Sequence, residues 1–324
     1  MKISDFTISP YQIDFTHGLT RSGLILTMVN GEGQTAWSEA SPLLHWSKET
    51  LEEAKAQLEQ KKEEICSINW SEENCLHNLH ALQLLPSVLF GIESGILSLL
   101  SPLTGYQAAV SALLLGTPRE ILSQAEKSYA EGYTSAKLKV GHLPLDIAKA
   151  IIMELKDTFR LRIDVNRAWS TQESLRFFSQ FPLDAFDYVE EPFQNPEELA
   201  LFPHPLAIDE SFPGNLSLKQ LETLPTLKAL IYKPTIQGGM TTFCLCIKQW
   251  LEQNRIQCIL SSSFESDIGL THIASMAHRL SIHLELGIGT HGFRKREQSS
   301  LQITQGIFSY DQAAYSQCCR SFIF

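Results

Sequence analysis

The sequence predicts an α/β fold: a parallel (β/α)₈-type barrel preceded by a small α+β unit. Three features predict it. The first hundred residues carry a hairpin pattern followed by helices. From residue 105 onward, short apolar runs alternate with amphipathic helical stretches. Charged side chains end successive runs, which is where barrels of this kind carry their chemistry. The length, 324 residues, suits one barrel of about 200–250 residues plus a smaller appendage.

In chain order, Ser22–Val29 is a strand pattern, Asn30-Gly31-Glu32-Gly33 has the residues a hairpin turn needs, and Gln34–Glu39 returns as a second strand. Ser47, with Thr50 three residues on, is the N-cap candidate for a charged amphipathic helix over Lys48–Glu64. Pro86–Leu100 is mostly apolar and predicts a buried helix. After Thr104-Gly105 the strands are expected at Gln107–Leu114, Ala136–Val140, Leu161–Val165, Phe186–Glu190, Leu206–Asp209, Ala229–Lys233, Gln257–Ser261 and Ile282–Leu286. Helical stretches fall between them, among them Pro118–Glu131, Leu145–Phe159, Thr171–Phe181 and Thr241–Asn254. Residues 1–104, with a contribution from the C-terminal tail, are expected to form one domain and 105–324 the other.

Composition narrows the function classes. A net charge of −10, a pI near 5.5 and the lack of any Lys/Arg block argue against nucleic-acid and anionic-membrane partners. The N-terminus lacks the basic start and apolar run of a signal peptide, and no apolar stretch reaches the length of a membrane span. Seven cysteines without zinc or disulfide spacing point to reduced thiols in a cytoplasm.

The strand ends read Lys137-Leu138-Lys139, Asp164-Val165-Asn166, Glu190-Glu191-Pro192, Asp209-Glu210-Ser211, Lys233-Pro234-Thr235 and Ser261-Ser262-Ser263. From Lys139 through Asp164, Glu190 and Asp209 to Lys233, the steps are 25, 26, 19 and 24 residues, each roughly one βα unit, so these groups should ring one mouth. Each alone has an ordinary explanation: a solvated lysine pair, a helix cap, a turn entry, a hydroxyl-rich loop. The order decides otherwise, because three acids on consecutive strands stand between two lysine-tipped strands. Two-residue periodicity puts Lys137 with Lys139, and Arg162 with Asp164 and Asn166, on common faces. Converging carboxylates would repel and protonate unless a cation joined them, and oxygen-only ligands favour Mg²⁺, with Mn²⁺ as a substitute, over zinc. Lys139, beside Lys137 and a dication, is expected to have a lowered pKa, as a general base requires. The whole set suits removal of a proton α to a carboxylate of a small-molecule substrate.

Lys-x-Lys, Asp-x-Asn, Glu-Glu-Pro, Asp-Glu-Ser and Lys-Pro, in that order, resemble the enolase superfamily, whose sites use a Lys or His base with Mg²⁺. Trp37-Ser38-Glu39-Ala40-Ser41-Pro42-Leu43, Trp46-Ser47-Lys48-Glu49-Thr50, Pro86-Ser87-Val88-Leu89-Phe90-Gly91, Arg162 through Trp169, and Ser261 through Ser266 resemble the o-succinylbenzoate synthases within it. The resemblance implies a (β/α)₇β TIM-like barrel with an N-terminal α+β capping domain. It implies Asp164, Glu190 and Asp209 as metal ligands, with the first glutamate of its pair chosen by the family pattern and not by alternation. It implies Lys139 as base and then acid, and Lys233 as stabiliser of an enediolate from the other face, with Lys137 beside them in the catalytic group. Substrate would be met by Arg162, Asn166 and the turn of Ser261, Ser262 and Ser263. The implied reaction is syn dehydration of a cyclohexadiene carboxylate in menaquinone synthesis. Ser38, where the family commonly has glycine, and the stretch Glu285–His291 depart from the pattern.

Three other readings compete. Two opposed lysines also suit an N-succinylamino acid racemase or a dipeptide epimerase; against the latter, Leu284-Glu285-Leu286-Gly287 stands where such epimerases show Asp-x-Asp. A mandelate-type dehydratase would want a histidine where Ser261–Ser263 stand. A non-catalytic anion-binding barrel is opposed by the presence of all five central residues.

Overall fold

The computed structural model describes residues 1–103, 105–295 and 301–321; Thr104, the expected domain boundary, lies outside them. At the N-terminus β1 (Ile3–Asp14), β2 (Thr20–Asn30) and β3 (Thr35–Ala40) form an antiparallel sheet in that order. The hairpin turn lies where the sequence places it, with Asn30 Oδ1 accepting from the amides of Glu32 and Gln34 at 3.0 and 2.9 Å. The sequence reading did not anticipate β1. It is an edge strand carrying Pro10, and its burial does not alternate cleanly because the pairing shifts between Ile3 and Asp5.

Three helices follow: α1 (Leu51–Ser67), α2 (Cys75–Ala81) and α3 (Pro86–Leu100). The N-cap of α1 is Thr50, not Ser47. Thr50 and Glu53 make a reciprocal capping box, whereas Ser47 Oγ accepts from the Leu43 amide. Helix α3 is the buried one, as its composition predicts, and it lies close on β3: a Cβ at Gly91 would meet the Glu39 carbonyl oxygen at 2.9 Å. Ile3, Phe6, Leu24, Leu26, Leu58, Ile92 and Ile96 are among the core these elements share.

The expected strand over Gln107–Leu114 is two strands. β4 (Gln107–Ala109) belongs to a small antiparallel sheet, and β5 (Ala112–Leu114) starts the barrel. The barrel then runs α4 (Pro118–Ala130), β6 (Ser135–Lys139), α5 (Leu145–Leu155), β7 (Arg160–Asp164), α6 (Thr171–Phe178), β8 (Tyr188–Glu190), β9 (Leu206–Ile208) and α7 (Leu218–Leu221). It continues with β10 (Leu227–Tyr232), α8 (Pro234–Gln237), α9 (Gly239–Thr242), α10 (Lys248–Asn254), β11 (Gln257–Leu260) and α11 (Asp267–Arg279). The helix expected over Thr241–Asn254 is interrupted by a π-helical turn at Phe243–Ile247.

Among the described residues, β5 to β11 form a parallel seven-stranded sheet in chain order. The eighth strand expected at Ile282–Leu286 is reduced to two parallel bridges, Val110 with Leu286 and Ser261 with Gly287. They close the sheet on itself, the Leu286 amide donating to Ala109 O at 2.8 Å and the Gly287 amide to Leu260 O at 2.9 Å. The fold is thus a (β/α)₇β TIM-like barrel under a cap of strands and helices. The C-terminal segment adds β12 (Gln302–Thr304) and β13 (Ile307–Ser309), which pairs with β4, and then α12 (Gln312–Ser321). From α12, Tyr315 donates to the Trp37 carbonyl of the cap. Apolar contact among Tyr11, Phe15 and Ile25 of the cap and Ile268 and Phe293 of the barrel fills the seam between the two.

Candidate active site

Pairing along the sheet sets Lys139 beside Asp164 and Asp164 beside Glu190, so the ends of β6, β7 and β8 lie level at one mouth. A cavity of about 250 Å³ opens there, lined by Lys137, Lys139, Arg162, Asn166, Glu190, Lys233 and Ser261–Ser263 among others. Asp164 and Asp209 stand immediately behind that lining, each bonded to a lysine that is part of it. Lys137 Nζ lies 2.9 Å from Asp164 Oδ2 and 2.6 Å from Glu190 Oε1. Lys139 Nζ donates to Asp164 Oδ2 at 2.9 Å and to Asn166 Oδ1 at 2.7 Å. On the other side Lys233 donates to Asp209 Oδ2 and lies 5.1 Å from the ring centre of Trp46, which descends from the cap.

The chain bends sharply to deliver these groups. Asn166 (φ 49°) and Glu191 (φ 45°) occupy the left-handed region, at a cost of roughly 1–2 kcal/mol each. The bends are held from within: the Asn166 amide donates to Asp164 Oδ1 at 2.9 Å, and the Arg167 amide to the Glu191 carbonyl at 2.9 Å. The same geometry separates the two glutamates. Glu190 faces the cavity, whereas Glu191 turns away and accepts from the Asp209 amide, the Ser211 amide and Ser211 Oγ at 2.9, 2.8 and 2.6 Å.

Electrostatics follow from burial and charge order. Burial raises the proton affinity of Glu190, and the neighbouring Asp164 carboxylate raises it further. Burial would likewise raise Asp164, but Lys137 and Lys139 outweigh it and hold its pKa below the ordinary range. Burial would lower Lys137 and Lys233; Asp164 and Glu190 for the first, and Asp209 for the second, outweigh it and hold both above the usual lysine value. Glu191 is pushed up to about 7, by burial first and by Glu210 second.

Glu190 Oε2 is buried without a hydrogen-bond partner. A crowded set of hard oxygen donors with one such orphan fits a small divalent cation. As arranged, the acids are spread over the lysines, and among the described residues no three His, Cys, Asp or Glu side chains stand together as a ready metal cage.

Arg162 borders the cavity, yet its guanidinium is spent elsewhere. Nε donates to Asp187 Oδ2 at 2.9 Å, Nη1 and Nη2 donate to Glu285 at 3.0 Å, and the group lies 5.2 Å from the Tyr188 ring centre. The serine turn is anchored to the closing segment. Ser261 and Ser262 Oγ donate to Gly287 O at 3.2 and 3.0 Å, and Ser262 Oγ lies 2.8 Å from Thr290 Oγ1. Among the lining residues that sequence reasoning passed over are Trp46, Tyr188, Glu210 and Thr290. Tyr188 and Glu210 carried a signal, two residues before Glu190 and one after Asp209. Trp46 and Thr290 come from a cap loop and the loop after the closing segment, where strand periodicity has no reach.

Residues 120–309 match the family model described as enolase C-terminal domain-like, and residues 15–99 match the MenC N-terminal domain. The o-succinylbenzoate synthase of Aliivibrio fischeri is 31% identical over 79% of this chain and 78% of its own length. That of Pasteurella multocida is 28% identical over 83% and 82%. Among solved structures, a dipeptide epimerase from Enterococcus faecalis superposes with a TM-score of 0.78 at 18% identity, covering 95% of this chain and 96% of that one. MenC from Desulfotalea psychrophila gives 0.75 at 19%, covering 96% and 100%. With both parts of the chain matched, and a relative 31% identical over 79% of this chain, the protein belongs to the enolase superfamily of enzymes and, within it, to the o-succinylbenzoate synthases.

Proposed function

We propose that the protein catalyses the Mg²⁺-dependent syn dehydration of 2-succinyl-6-hydroxy-2,4-cyclohexadiene-1-carboxylate to o-succinylbenzoate. The observation that carries this reading is the placement of Lys139 and Lys233. They end β6 and β10, four positions apart in a ring of seven strands and a closing segment, so their ammonium groups face each other across the cavity. Asp164, Glu190 and Asp209 would hold the ion, giving up the lysine pairs described above. The bound ion would supply positive charge to the substrate carboxylate as the α-proton leaves.

Lys139, in its neutral form, takes the proton on the carbon bearing the carboxylate. Its ammonium then delivers that proton to the hydroxyl departing from the adjacent carbon on the same face, so one water leaves and the ring becomes aromatic. Lys233 stays protonated and balances the negative charge from the opposite face. Asn166 holds Lys139 through its side-chain oxygen, and the Ser261–Ser263 turn meets the succinyl end. Arg162 we assign to the cavity floor, since Asp187 and Glu285 occupy its guanidinium. Residues 1–104, with α12, would cap a barrel of residues 105–324.

A dipeptide epimerase is the reading that the structural neighbours raise. Here Glu285 pairs with Arg160 and Arg162, which leaves Gly287 to line the cavity at that edge and no acid pair there for an ammonium group. The deciding assay is loss of the cyclohexadiene's ultraviolet absorbance with protein and Mg²⁺, against an EDTA control. Fast, metal-dependent formation of o-succinylbenzoate is the expected result. Metal-loaded protein that leaves the diene intact, yet exchanges the α-proton of N-succinylamino acids in D₂O, would replace this reading with a racemase.

A further inference from the structure

The cap carries a carboxylate that never reaches the cavity and yet is bonded to the loop that lines it. Glu39, at the inner end of β3, is fully buried. Its Oε2 accepts from the amides of Ser266 and Gly269 at 3.1 and 3.0 Å and from Ser266 Oγ. Its Oε1 accepts from Ser41 Oγ at 2.6 Å, from the Ser266 amide at 3.2 Å and from the Tyr11 hydroxyl. Two donors thus come from the cap and three from the barrel. Ser266 is the N-cap of α11, so the carboxylate also meets the positive end of a thirteen-residue helix. Gly269 makes the approach available, because a Cβ there would lie 2.8 Å from Glu39 Oε2.

What this clasp holds is the turn three residues upstream. The Ser263 amide donates to Glu265 Oε2 at 2.6 Å, so the turn hangs on the residue next to Ser266. Phe264, between them, is in the left-handed region at φ 63° and packs edge-on against Phe15 of the cap with ring centres 5.3 Å apart. A non-glycine residue held there needs support from its surroundings. On its other side the turn is tied to the closing segment at Gly287 and Thr290 and to β10, where the Ser261 amide donates to the Tyr232 carbonyl at 2.9 Å.

We propose that Glu39 is a positioning residue: from the cap, and without touching substrate, it sets the place of the Ser261–Ser263 turn and so the affinity of the cavity for the end of the substrate lying there. This rests on the reading of that turn as a substrate contact. Charge-assisted bonds of this kind lose much of their strength when the acceptor is neutral. Binding should therefore suffer while the lysine and acid positions, on β6 to β10, stay as they are.

The test compares wild type with Glu39→Gln in the diene assay and by amide hydrogen exchange. The expected result is a KM raised about tenfold or more with kcat changed by less than about threefold. Amides of residues 261–270 should exchange about tenfold faster, with those of β2 and β6 unchanged. A KM within about twofold of wild type overturns the proposal, and so does faster exchange across the whole molecule, which would mark a merely structural role. If Glu39→Gln does not fold, Ser266→Ala, which removes the hydroxyl donor to Glu39 together with the cap on the Ile268 amide, is measured in its place, with the same two signatures expected at about threefold each. If wild-type protein itself leaves the diene unchanged, the dehydration reading fails, and the exchange comparison still decides whether Glu39 holds the turn.

Discussion

Lys139 and Glu191 mark the two limits of what a strand-end residue discloses. Lys139 was legible as a residue of the candidate site because alternation on β6 puts it with Lys137 and the next strand end offers Asp164 to receive it. Glu191 was not separable from Glu190 by alternation, because the chain leaves the strand between them; the left-handed turn at Glu191 does the separating. Arg162 shares the Asp164 face, as its position predicts, but periodicity fixes a face and not the end of the barrel toward which a long side chain runs. Replacing Lys139 with Ala is expected to lower kcat by about 10²–10⁴-fold, the usual contribution of a general acid–base group, while Lys137 keeps Asp164 paired and the fold intact. Steady-state turnover together with a thermal melt checks this, and near-normal turnover would remove Lys139 from its proposed role.

Among the elements, those whose signal is local were legible and those defined by distant partners were not. Helix α3 matches its predicted span because Pro86 opens it and its apolar run is continuous. The segment 107–114 reads as one apolar strand, but two different partners, β13 and β6, claim its halves, and that division depends on residues near 307. The eighth strand is short for a similar reason: Leu286 and Gly287 are shared between Val110 on one side and Ser261 on the other. Tight contact between elements yields a second prediction. In Gly269→Ala the new methyl would sit 2.6 Å from Glu265 Cβ as well as against Glu39, so a loss of roughly 1–3 kcal/mol is expected in urea unfolding. No loss at all would mean that α11 can back away from β3.

At the scale of the whole molecule the cap is joined to the barrel by groups that no local pattern could pair. Glu93 of α3 lies about 150 residues from its partners, accepting from the Met240 and Thr241 amides and from Thr241 Oγ1 at 2.5, 2.7 and 2.6 Å. Burial pushes its pKa up to about 7, against the lowering effect of those bonds. A carboxyl raised on folding stabilises fully below its unfolded value near 4.5, and the contribution is lost as the pH rises through about 7. Glu93→Gln, which mimics the protonated form, should therefore lose less stability than wild type between pH 5 and pH 8, by roughly 2 kcal/mol. Some slope remains from Glu191, which titrates in the same direction. Denaturant midpoints at the two pH values test this; parallel curves for the two proteins would show that Glu93 is ionised throughout.

The closure of the barrel by two bridges makes the ring unequal in stiffness. Strands β6 and β7 carry five residues each, and the run from Lys139 to Glu190 is paired without a gap, whereas the arc from Ser261 through Gly287 to Val110 is joined by two isolated bridges of two backbone hydrogen bonds each. The stiff arc carries Lys139, Asp164 and Glu190, groups that the proposed proton abstraction would use. The compliant arc carries the serines, which under the proposed function would form the wall facing the rest of the substrate. Such a division lets inherited chemistry persist while the wall is reshaped by small changes around residues 261–290, so that variants at that seam should alter which acids are accepted before they alter how quickly a proton moves.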